Sequence, residues 1–199
     1  IIYTLILLLT AGNMIAQNST HPQRKKVAVV LSGGGAKGVA HIGALKVIEE
    51  AGIPIDYIVG TSMGAIIGGL YSIGYTPAQM DSLVSNQNWS YILSDAVNRN
   101  EELLVKKQRS EQYTLSVPFK KTPKDAIKGG VISGKNIAQL FSDLTIGYHD
   151  SIDFNKLPTP FACVAVDIVT GQEYVFHSGK LALAMRSSMS IPGAFTPVK

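Results

Sequence analysis

Two glycine motifs, each placed between a predicted strand and a predicted helix, constrain the fold of this chain most strongly. The first follows the apolar run at 25–32 and precedes the helical pattern at 39–52; it is Gly33-Gly34-Gly35-Ala36-Lys37-Gly38. The second joins the run at 53–60 to the apolar helical pattern at 61–75; it is Gly60-Thr61-Ser62-Met63-Gly64. Alternation of strands and helices is typical of α/β proteins, so we expect a parallel sheet with helical crossovers.

The rest of the chain adds shorter elements to this β-α-β-α beginning. We predict helices at 76–86, 133–144 and 180–190, an exposed strand at 113–119 and a hairpin at 160–176. Thr76 and Ser133 are predicted N-caps, since a hydroxyl accepts hydrogen bonds from first-turn N–H groups. Gly52 suits the C-terminal end of the helix at 39–52, and Thr170-Gly171 suits the hairpin turn.

Composition indicates one globular domain. The 199 residues are 46% hydrophobic and 16% charged, with a net charge of +4. This small net charge argues against a protein specialised for nucleic-acid binding and is compatible with binding to an anionic membrane surface. The basic stretch at 98–128 favours either a solvated hairpin or a surface that faces a membrane. The single cysteine, Cys163, excludes an intrachain disulfide and lies in an apolar run, where a buried thiol is expected.

The first residues predict export. Residues 1–17 are apolar and nearly uncharged, which suits a signal peptide; a membrane anchor is the alternative. A linker at 18–26 then leads into one domain at 27–199. The chain has no initiating Met and stops just after Pro192-Gly193, so we expect a fragment that is truncated at its C-terminus. Export places the protein in the periplasm or outer membrane of a Gram-negative bacterium.

The first glycine motif alone is ambiguous. It matches the G-x-G-x-x-G pattern of dinucleotide-binding proteins, which also need an acidic residue at the end of the second strand. Here the second strand ends in Val59-Gly60, and Asp56 lies near its start. A Rossmann-type nucleotide-binding module therefore remains only as an alternative. A P-loop is excluded because no Gly-Lys-Ser/Thr follows the glycines.

The second motif is more specific, because G-x-S-x-G at a strand–helix junction predicts a nucleophile elbow. Ser62 would stand on a sharp turn, and Gly60 and Gly64 would let strand and helix approach closely. The N-terminus of the following helix favours developing negative charge at this position. A tight turn with an inert serine is the alternative. Because loops that follow parallel strands meet at one sheet edge, the N–H groups of the first motif would form an oxyanion hole beside Ser62.

The segments "GGGAKG", "GTSMG" and "SMSIPGAFTPV" resemble the patatin-like phospholipase family, of bacterial type, over about residues 25–199. The resemblance implies a three-layer α/β/α fold with a mostly parallel central sheet. It implies a serine lipid acyl hydrolase of phospholipase A type, with Ser62 as nucleophile and the Gly33–Gly38 loop as oxyanion hole. Many bacterial members with a signal peptide also carry a C-terminal outer-membrane barrel, so the resemblance allows one here.

The general base implied by the resemblance is an aspartate in an Asp-Gly-Gly or Asp-Gly-Ala motif. That motif follows the segment equivalent to Pro192–Val198, so it would lie beyond Lys199, and this chain contains no Asp-Gly. The fragment alone is therefore expected to be inactive. Asp167 is a rival base, with a structural role near the hairpin turn as the alternative. His41 is expected to be structural, and His149 and His177 to be solvated.

No metal or organic cofactor is expected, because the sequence has no cluster of metal-ligating residues. The expected partners are a phospholipid or other lipid ester and a membrane surface, with no nucleic acid. Lys37, inside the glycine loop, is either solvated or attracts phosphate headgroups. A catalytically inactive lipid-binding scaffold is the remaining alternative.

Overall fold

The computed structural model describes residues 24–97 and 132–198. The predicted signal peptide, most of the predicted linker, and the basic stretch with its strand at 113–119 lie outside the described residues. Those interpretations stay predictions.

A mixed sheet organises the fold and has four strands within the described residues. These residues contain six strands in all, which are β1 (Ala28–Leu31), β2 (Tyr57–Thr61), β3 (Ile152–Asp153), β4 (Phe161–Val166), β5 (Glu173–Phe176) and β6 (Ser178–Gly179). The main sheet has the order β1-β2-β4-β5, in which β1, β2 and β4 are parallel and β5 is antiparallel to β4. The short strands β3 and β6 form a separate antiparallel pair. Both the mostly parallel sheet and the hairpin at 160–176 are confirmed.

In residues 24–97 and 132–198, six α-helices connect and cover these strands. They are α1 (Ala40–Glu50), α2 (Met63–Ser72), α3 (Pro77–Ser85), α4 (Trp89–Ile92), α5 (Lys135–Leu144) and α6 (Leu181–Ser188), with 3-10 turns at Gly35–Val39, Ile146–Tyr148 and Phe154–Lys156. Every helix expected within the described residues is present, with shorter bounds. The helix α4 and the pair β3–β6 were not predicted, because elements of four and two residues are too short to show a hydrophobic period.

Helix α2 is the centre of the core, as its apolar sequence predicts. It packs against β1, β2, β4 and α6. Gly68 makes this approach close, because a Cβ there would lie 2.8 Å from the Ile58 side chain and 3.3 Å from that of Phe161. Ile58 and Phe161 are fully buried under the helix, whereas Val30, which points the other way from β1, is 74% exposed. Within the described stretches, no helix combines the length and apolar character needed to cross a membrane.

The predicted N-cap of α3 is confirmed. The Thr76 hydroxyl accepts the N–H of Gln79 at 3.2 Å, and the Gln79 side chain accepts the N–H of Thr76 at 2.9 Å. This reciprocal capping box satisfies two N–H groups that would otherwise lack partners.

Replacing Thr76 with Ala is expected to lower the free energy of unfolding by about 1 kcal/mol, since it removes one side of the capping box. Urea denaturation followed by circular dichroism measures the change. Ser85→Ala, at the exposed last residue of the same helix, is the control and should change stability by only a few tenths of a kcal/mol. Equal effects of the two substitutions would argue against the cap.

The predicted N-cap of α5, Ser133, is wrong. The N-cap is Gly134, in the left-handed conformation with φ 71°. Ser133 instead donates both its N–H and its hydroxyl to the Asp95 carboxylate, which also accepts the N–H of Gly134. These hydrogen bonds lower the pKa of Asp95. The carboxylate therefore takes the capping role that the sequence pattern assigned to a hydroxyl.

A polar junction joins the two described stretches of the chain at this point. The side-chain amide of Asn136 donates to the carbonyls of Tyr91, Ser94 and Ala96. Together with the Asp95 contacts, these bonds hold residues 91–96 against residues 133–136. We call this set of hydrogen bonds the 95–133 junction.

Arg186 extends this polar structure toward the end of the chain. Its buried guanidinium donates to the Ser133 carbonyl at 3.0 Å, the Thr196 carbonyl at 3.1 Å and the Ser190 hydroxyl at 2.6 Å. The same group stacks over the Phe195 ring at 5.2 Å. Burial lowers the pKa of Arg186, and Asp95 partly offsets this effect. The guanidinium therefore fixes the turn that follows α6 against the start of α5.

Candidate active site

Ser62 occupies the sharp turn between β2 and α2. Its backbone has φ 55° and ψ −120°, and no other non-glycine residue in the described part of the chain has a positive φ. Such a conformation is strained by about 1–3 kcal/mol and persists only where the surroundings hold it. Ser62 is half-buried, at the N-cap position of α2. This is the backbone geometry that a nucleophile elbow requires.

The two outer glycines of the motif are needed for close packing. A Cβ at Gly60 would lie 2.6 Å from the Cα of Ala65, on the first turn of α2. A Cβ at Gly64 would overlap the carbonyl of Leu31 and lie 2.7 Å from that of Ser32, at the end of β1. No side chain fits at either position. The spacing of G-x-S-x-G is therefore set by backbone-to-backbone contact around Ser62.

Hydrogen bonds hold the Ser62 backbone from both sides. Its carbonyl accepts the N–H groups of Ala65 at 2.9 Å and Ile66 at 3.1 Å. Its own N–H donates to the hydroxyl of Ser188, at the end of α6, with an N···O distance of 2.7 Å. The Ser188 hydroxyl in turn donates to the carbonyl of Val164 in β4. Sequence reasoning missed Ser188, and its only signal was its place as the first residue of the "SMSIPG" segment.

The glycine loop lies against this elbow. A Cβ at Gly33 would stand 3.3 Å from the Cβ of Ser62, and one at Gly38 would stand 2.6 Å from the Cβ of Met63. The structure therefore brings the two glycine motifs together at the carboxyl ends of β1 and β2, where the sequence pattern placed them.

The loop presents backbone N–H groups with few internal partners. Gly35 has φ 53°, and Ala36 and Lys37 follow it in an exposed 3-10 turn. The Lys37 N–H returns to the Gly34 carbonyl at 3.2 Å. Within the described ranges, the N–H groups of Gly33, Gly34 and Gly35 donate to no protein group. Donors of this kind next to Ser62 can bind an oxyanion.

His41 has a structural contact, as expected. Its Nε2 lies 2.9 Å from the carbonyl of Ser32, the residue before the glycine loop. The ring nitrogen must be the donor, because a carbonyl oxygen can only accept. His41 thus joins the first turn of α1 to the end of β1 and supports the loop.

Asp167, the rival base, is held by the hairpin turn. Its exposed carboxylate accepts the Val169 N–H at 2.8 Å, and its carbonyl accepts the Gly171 N–H at 2.7 Å. These contacts, with hydrogen bonds from Thr170, lower the pKa of Asp167. The Asp167 side chain therefore stabilises the hairpin turn, which is the structural role given above as the alternative to a catalytic base.

Asp56 does not serve a nucleotide site at the carboxyl edge. It lies before the start of β2, where its carboxylate binds the Arg24 guanidinium at 2.6 and 2.7 Å and the Val27 N–H at 2.7 Å. The Arg24 hydrogen bonds, with that from Val27, lower the pKa of Asp56 to about 2. This strand therefore provides no acidic group for a ribose near the glycine loop.

The other candidate reactive side chains are either buried in the core or exposed to solvent. Cys163 is buried, its thiol contacts the Ala184 carbonyl at 3.2 Å, and burial raises its pKa to about 12. His149 and His177 are exposed. In residues 24–97 and 132–198, no three His, Cys, Asp or Glu side chains come together in an arrangement that could hold a metal ion.

A cavity of about 590 Å³ opens at the same sheet edge as Ser62. It runs from Thr61, the neighbour of Ser62, to the end of β4 and the turn after α6. Its apolar lining includes Val164, Val166, Ile168 and Ile191. Ile168 is 50% exposed and Ile191 is 56% exposed, so the cavity is open to solvent.

Comparison with curated proteins identifies relatives over most of the chain. An NTE family protein of Mycobacterium tuberculosis, MT2641, is 29% identical over 87% of this chain. A patatin-like phospholipase domain-containing protein of Caenorhabditis elegans, ZK370.4, and the neuropathy target esterase sws of Drosophila grimshawi are 31% and 30% identical, each over 86% of this chain. The chain spans 24%, 11% and 10% of the lengths of these three relatives.

The solved structures give the same fold. ExoU, from the type III secretion system of Pseudomonas aeruginosa and crystallised in complex with SpcU, superimposes with a TM-score of 0.53. The match covers 84% of this chain and 38% of ExoU at 21% identity. The predicted fold class, a mixed α/β fold with a mostly parallel sheet, is therefore confirmed and is consistent with three α/β/α layers.

The family assignment rests on the whole domain as well as on the two motifs. The sequence model of the family described as "patatin-like phospholipase" matches residues 29–199, which include both glycine loops, the hairpin and α6. The Rossmann-type alternative explains neither this match nor the strained Ser62. The chain belongs to the patatin-like phospholipase family.

Proposed function

We propose that this chain provides the nucleophile and the oxyanion hole of a serine lipid acyl hydrolase. The observation that carries the proposal is the strained Ser62 elbow in contact with Gly33, beside loop N–H groups that have no protein acceptor in the described residues. Lipid ester hydrolysis agrees with the family to which the chain belongs.

In the proposed reaction the Ser62 oxygen attacks the ester carbonyl carbon while a base accepts its proton. The carbonyl π electrons move to the carbonyl oxygen, and the glycine-loop N–H groups bind the resulting oxyanion. Each such donor contributes about 3 kcal/mol to transition-state stabilisation. Collapse of the tetrahedral intermediate expels the alcohol, which takes the proton from the base. Water, deprotonated by the same base, then releases the fatty acid from Ser62.

We propose that the base is the aspartate of a downstream Asp-Gly motif, which would form the Ser–Asp dyad that the resemblance to the patatin-like phospholipase family implies. Within the described residues, the Ser62 hydroxyl donates to no carboxylate, and Asp167 already binds its own turn. A serine hydroxyl is almost fully protonated at neutral pH and needs a base to attack an ester. Turnover is therefore expected to depend on such a base.

The open cavity suggests where the substrate lies. It begins beside the elbow at Thr61, and its Val and Ile side chains suit a hydrocarbon chain, while Asp167 and Ser188 add polar groups to the lining. An acyl chain in this cavity would place its ester carbonyl near Ser62. This supports a lipid ester, with phospholipase A-type cleavage as the proposed reaction.

Covalent labelling of the full-length protein with a fluorophosphonate probe tests the proposed function. We expect the label on Ser62 and none on a Ser62→Ala variant. Thermal stabilisation by NAD without labelling would overturn the proposal in favour of a nucleotide-binding module. Binding to phospholipid vesicles with neither labelling nor ester turnover would instead favour the inactive scaffold.

The oxyanion role of the loop predicts the effect of a side chain at Gly34. Its Cβ would lie 3.2 Å from the Gly38 N, so Gly34→Val must displace the loop N–H groups. We expect turnover of a nitrophenyl ester by the full-length protein to fall about 100-fold. Gly147→Val, where a Cβ meets nothing within 4 Å, is the control. Normal turnover by the Gly34 variant would exclude the loop from the site.

A further inference from the structure

We propose that Ser188 is a positioning residue that fixes the nucleophile elbow by binding the N–H of Ser62. The inference rests on the proposed function for its catalytic meaning, but the contact itself is structural. Ser188 is the first residue of the "SMSIPGAFTPV" segment, but nothing in that segment indicates a contact with Ser62, which is 126 positions away in the chain.

The strained backbone of Ser62, with φ 55°, depends on contacts that hold its peptide groups, since such a conformation persists only where its surroundings hold it. The carbonyl of Ser62 is held by the first turn of its own helix, through Ala65 and Ile66. The N–H side has one hydrogen-bond partner in the described residues, the Ser188 hydroxyl at 2.7 Å. Loss of that hydroxyl would leave the strained residue held from one side only.

The hydrogen bonds of the Ser188 hydroxyl have a defined direction. The Ser188 hydroxyl has one proton, and it donates that proton to the Val164 carbonyl. Its lone pair is therefore directed to the Ser62 N–H. The chain Ser62 N–H, Ser188 hydroxyl, Val164 carbonyl joins the elbow to both α6 and β4. Alanine cannot replace either bond, whereas threonine carries the same hydroxyl.

The bond to Ser188 also determines which N–H groups can bind the oxyanion. Because the Ser62 N–H is bound to Ser188, it is not available to an oxyanion. The oxyanion is then bound by other donors, and the glycine loop, which lies against Ser62, presents such N–H groups. Ser188 thus acts on the reaction through the backbone of the nucleophile.

Amide hydrogen exchange of Ser62 tests the contact directly and needs no activity. In Ser188→Ala we expect the Ser62 amide to exchange about tenfold faster, and Ser188→Thr should restore protection. Ser72→Ala is the matched control. It also removes a hydroxyl hydrogen bond from a helical serine: the buried Ser72 hydroxyl donates to the carbonyl of Gly68, four residues earlier in its own helix. The control should leave the Ser62 amide unchanged. Unchanged exchange in a folded Ser188→Ala protein would overturn the proposal.

Labelling kinetics of the full-length protein then test the catalytic consequence. The rate constant for fluorophosphonate modification of Ser62 should fall about 100-fold in Ser188→Ala, since small displacements of a nucleophile have effects of that size. Ser188→Thr should recover most of the rate, and Ser72→Ala should match the unmodified protein. Faster exchange with an unchanged labelling rate would overturn the positioning role. Absence of labelling in every protein, including the unmodified one, would count against the proposed function and leave the exchange result standing.

Discussion

Ester turnover by the full-length protein should fall by several orders of magnitude when Ser62 is replaced with Ala, because no other group can form the acyl intermediate. The fold should survive this change, since the methyl group is smaller than the hydroxymethyl group it replaces. Hydrolysis of a short-chain nitrophenyl ester measures the loss. Wild-type turnover by the variant would exclude Ser62 as the nucleophile.

Two substitutions at Ser62 separate the effect of backbone strain on stability from the effect of the hydroxyl on turnover. Ser62→Gly should be as inactive as Ser62→Ala but more stable than it, because glycine adopts φ 55° without strain. The strain is about 1–3 kcal/mol, and the extra freedom of unfolded glycine offsets about 0.5–1 kcal/mol of the gain. Urea denaturation of the two variants gives the difference. A glycine variant no more stable than the alanine variant would mean that the turn is not strained.

Gly64→Ala should destabilise the folded protein by about 3 kcal/mol or more, a severe form of overpacking. Its Cβ would overlap the Leu31 carbonyl and lie 2.7 Å from that of Ser32, and a backbone carbonyl cannot rotate away as a side chain can. Either β1 moves away from α2 or the turn at Ser62 opens. The glycine loop follows β1 directly, so either movement also separates the loop from Ser62.

Gly43→Ala is the matched control for this prediction. Gly43 is also helical, but a Cβ there meets nothing within 4 Å. Because alanine is the better helix former, this variant should gain about 1 kcal/mol. If the close contact at Gly64 is real, Gly64→Ala should lower the temperature of thermal unfolding and Gly43→Ala should raise it. A Gly64→Ala protein of normal stability would show that the approach of β1 to the elbow is looser than described.

The parts of the site that could be predicted are those in which one short segment determines the geometry. A serine between two glycines at a strand–helix junction has few alternatives to a sharp turn, and parallel strands bring their loops to the same edge. The Ser62 elbow, the Gly33 contact and the Thr76 cap are of this kind. Helix α2 was recognised as central because its sequence is apolar on nearly all sides.

The parts that could not be predicted depend on residues far apart in the sequence. The sequence predicts Ser133 as an N-cap. In the structure its hydroxyl and N–H instead bind the carboxylate of Asp95, 38 positions earlier. Ser188 reaches Ser62 only because α6 packs beside β4. Nothing in the sequence around Arg186 indicates that its guanidinium is buried against three acceptors. Tertiary contacts of this kind leave no periodic signal in a sequence.

The 95–133 junction has a consequence for how the described stretches of the chain respond to substitution. The Asp95 carboxylate and the Asn136 amide join residues 91–96 to the start of α5. Asp95 also acts on the charge of Arg186, whose guanidinium binds the Ser133 carbonyl and the turn after α6. One carboxylate therefore supports three segments at once, and its loss would loosen all of them together.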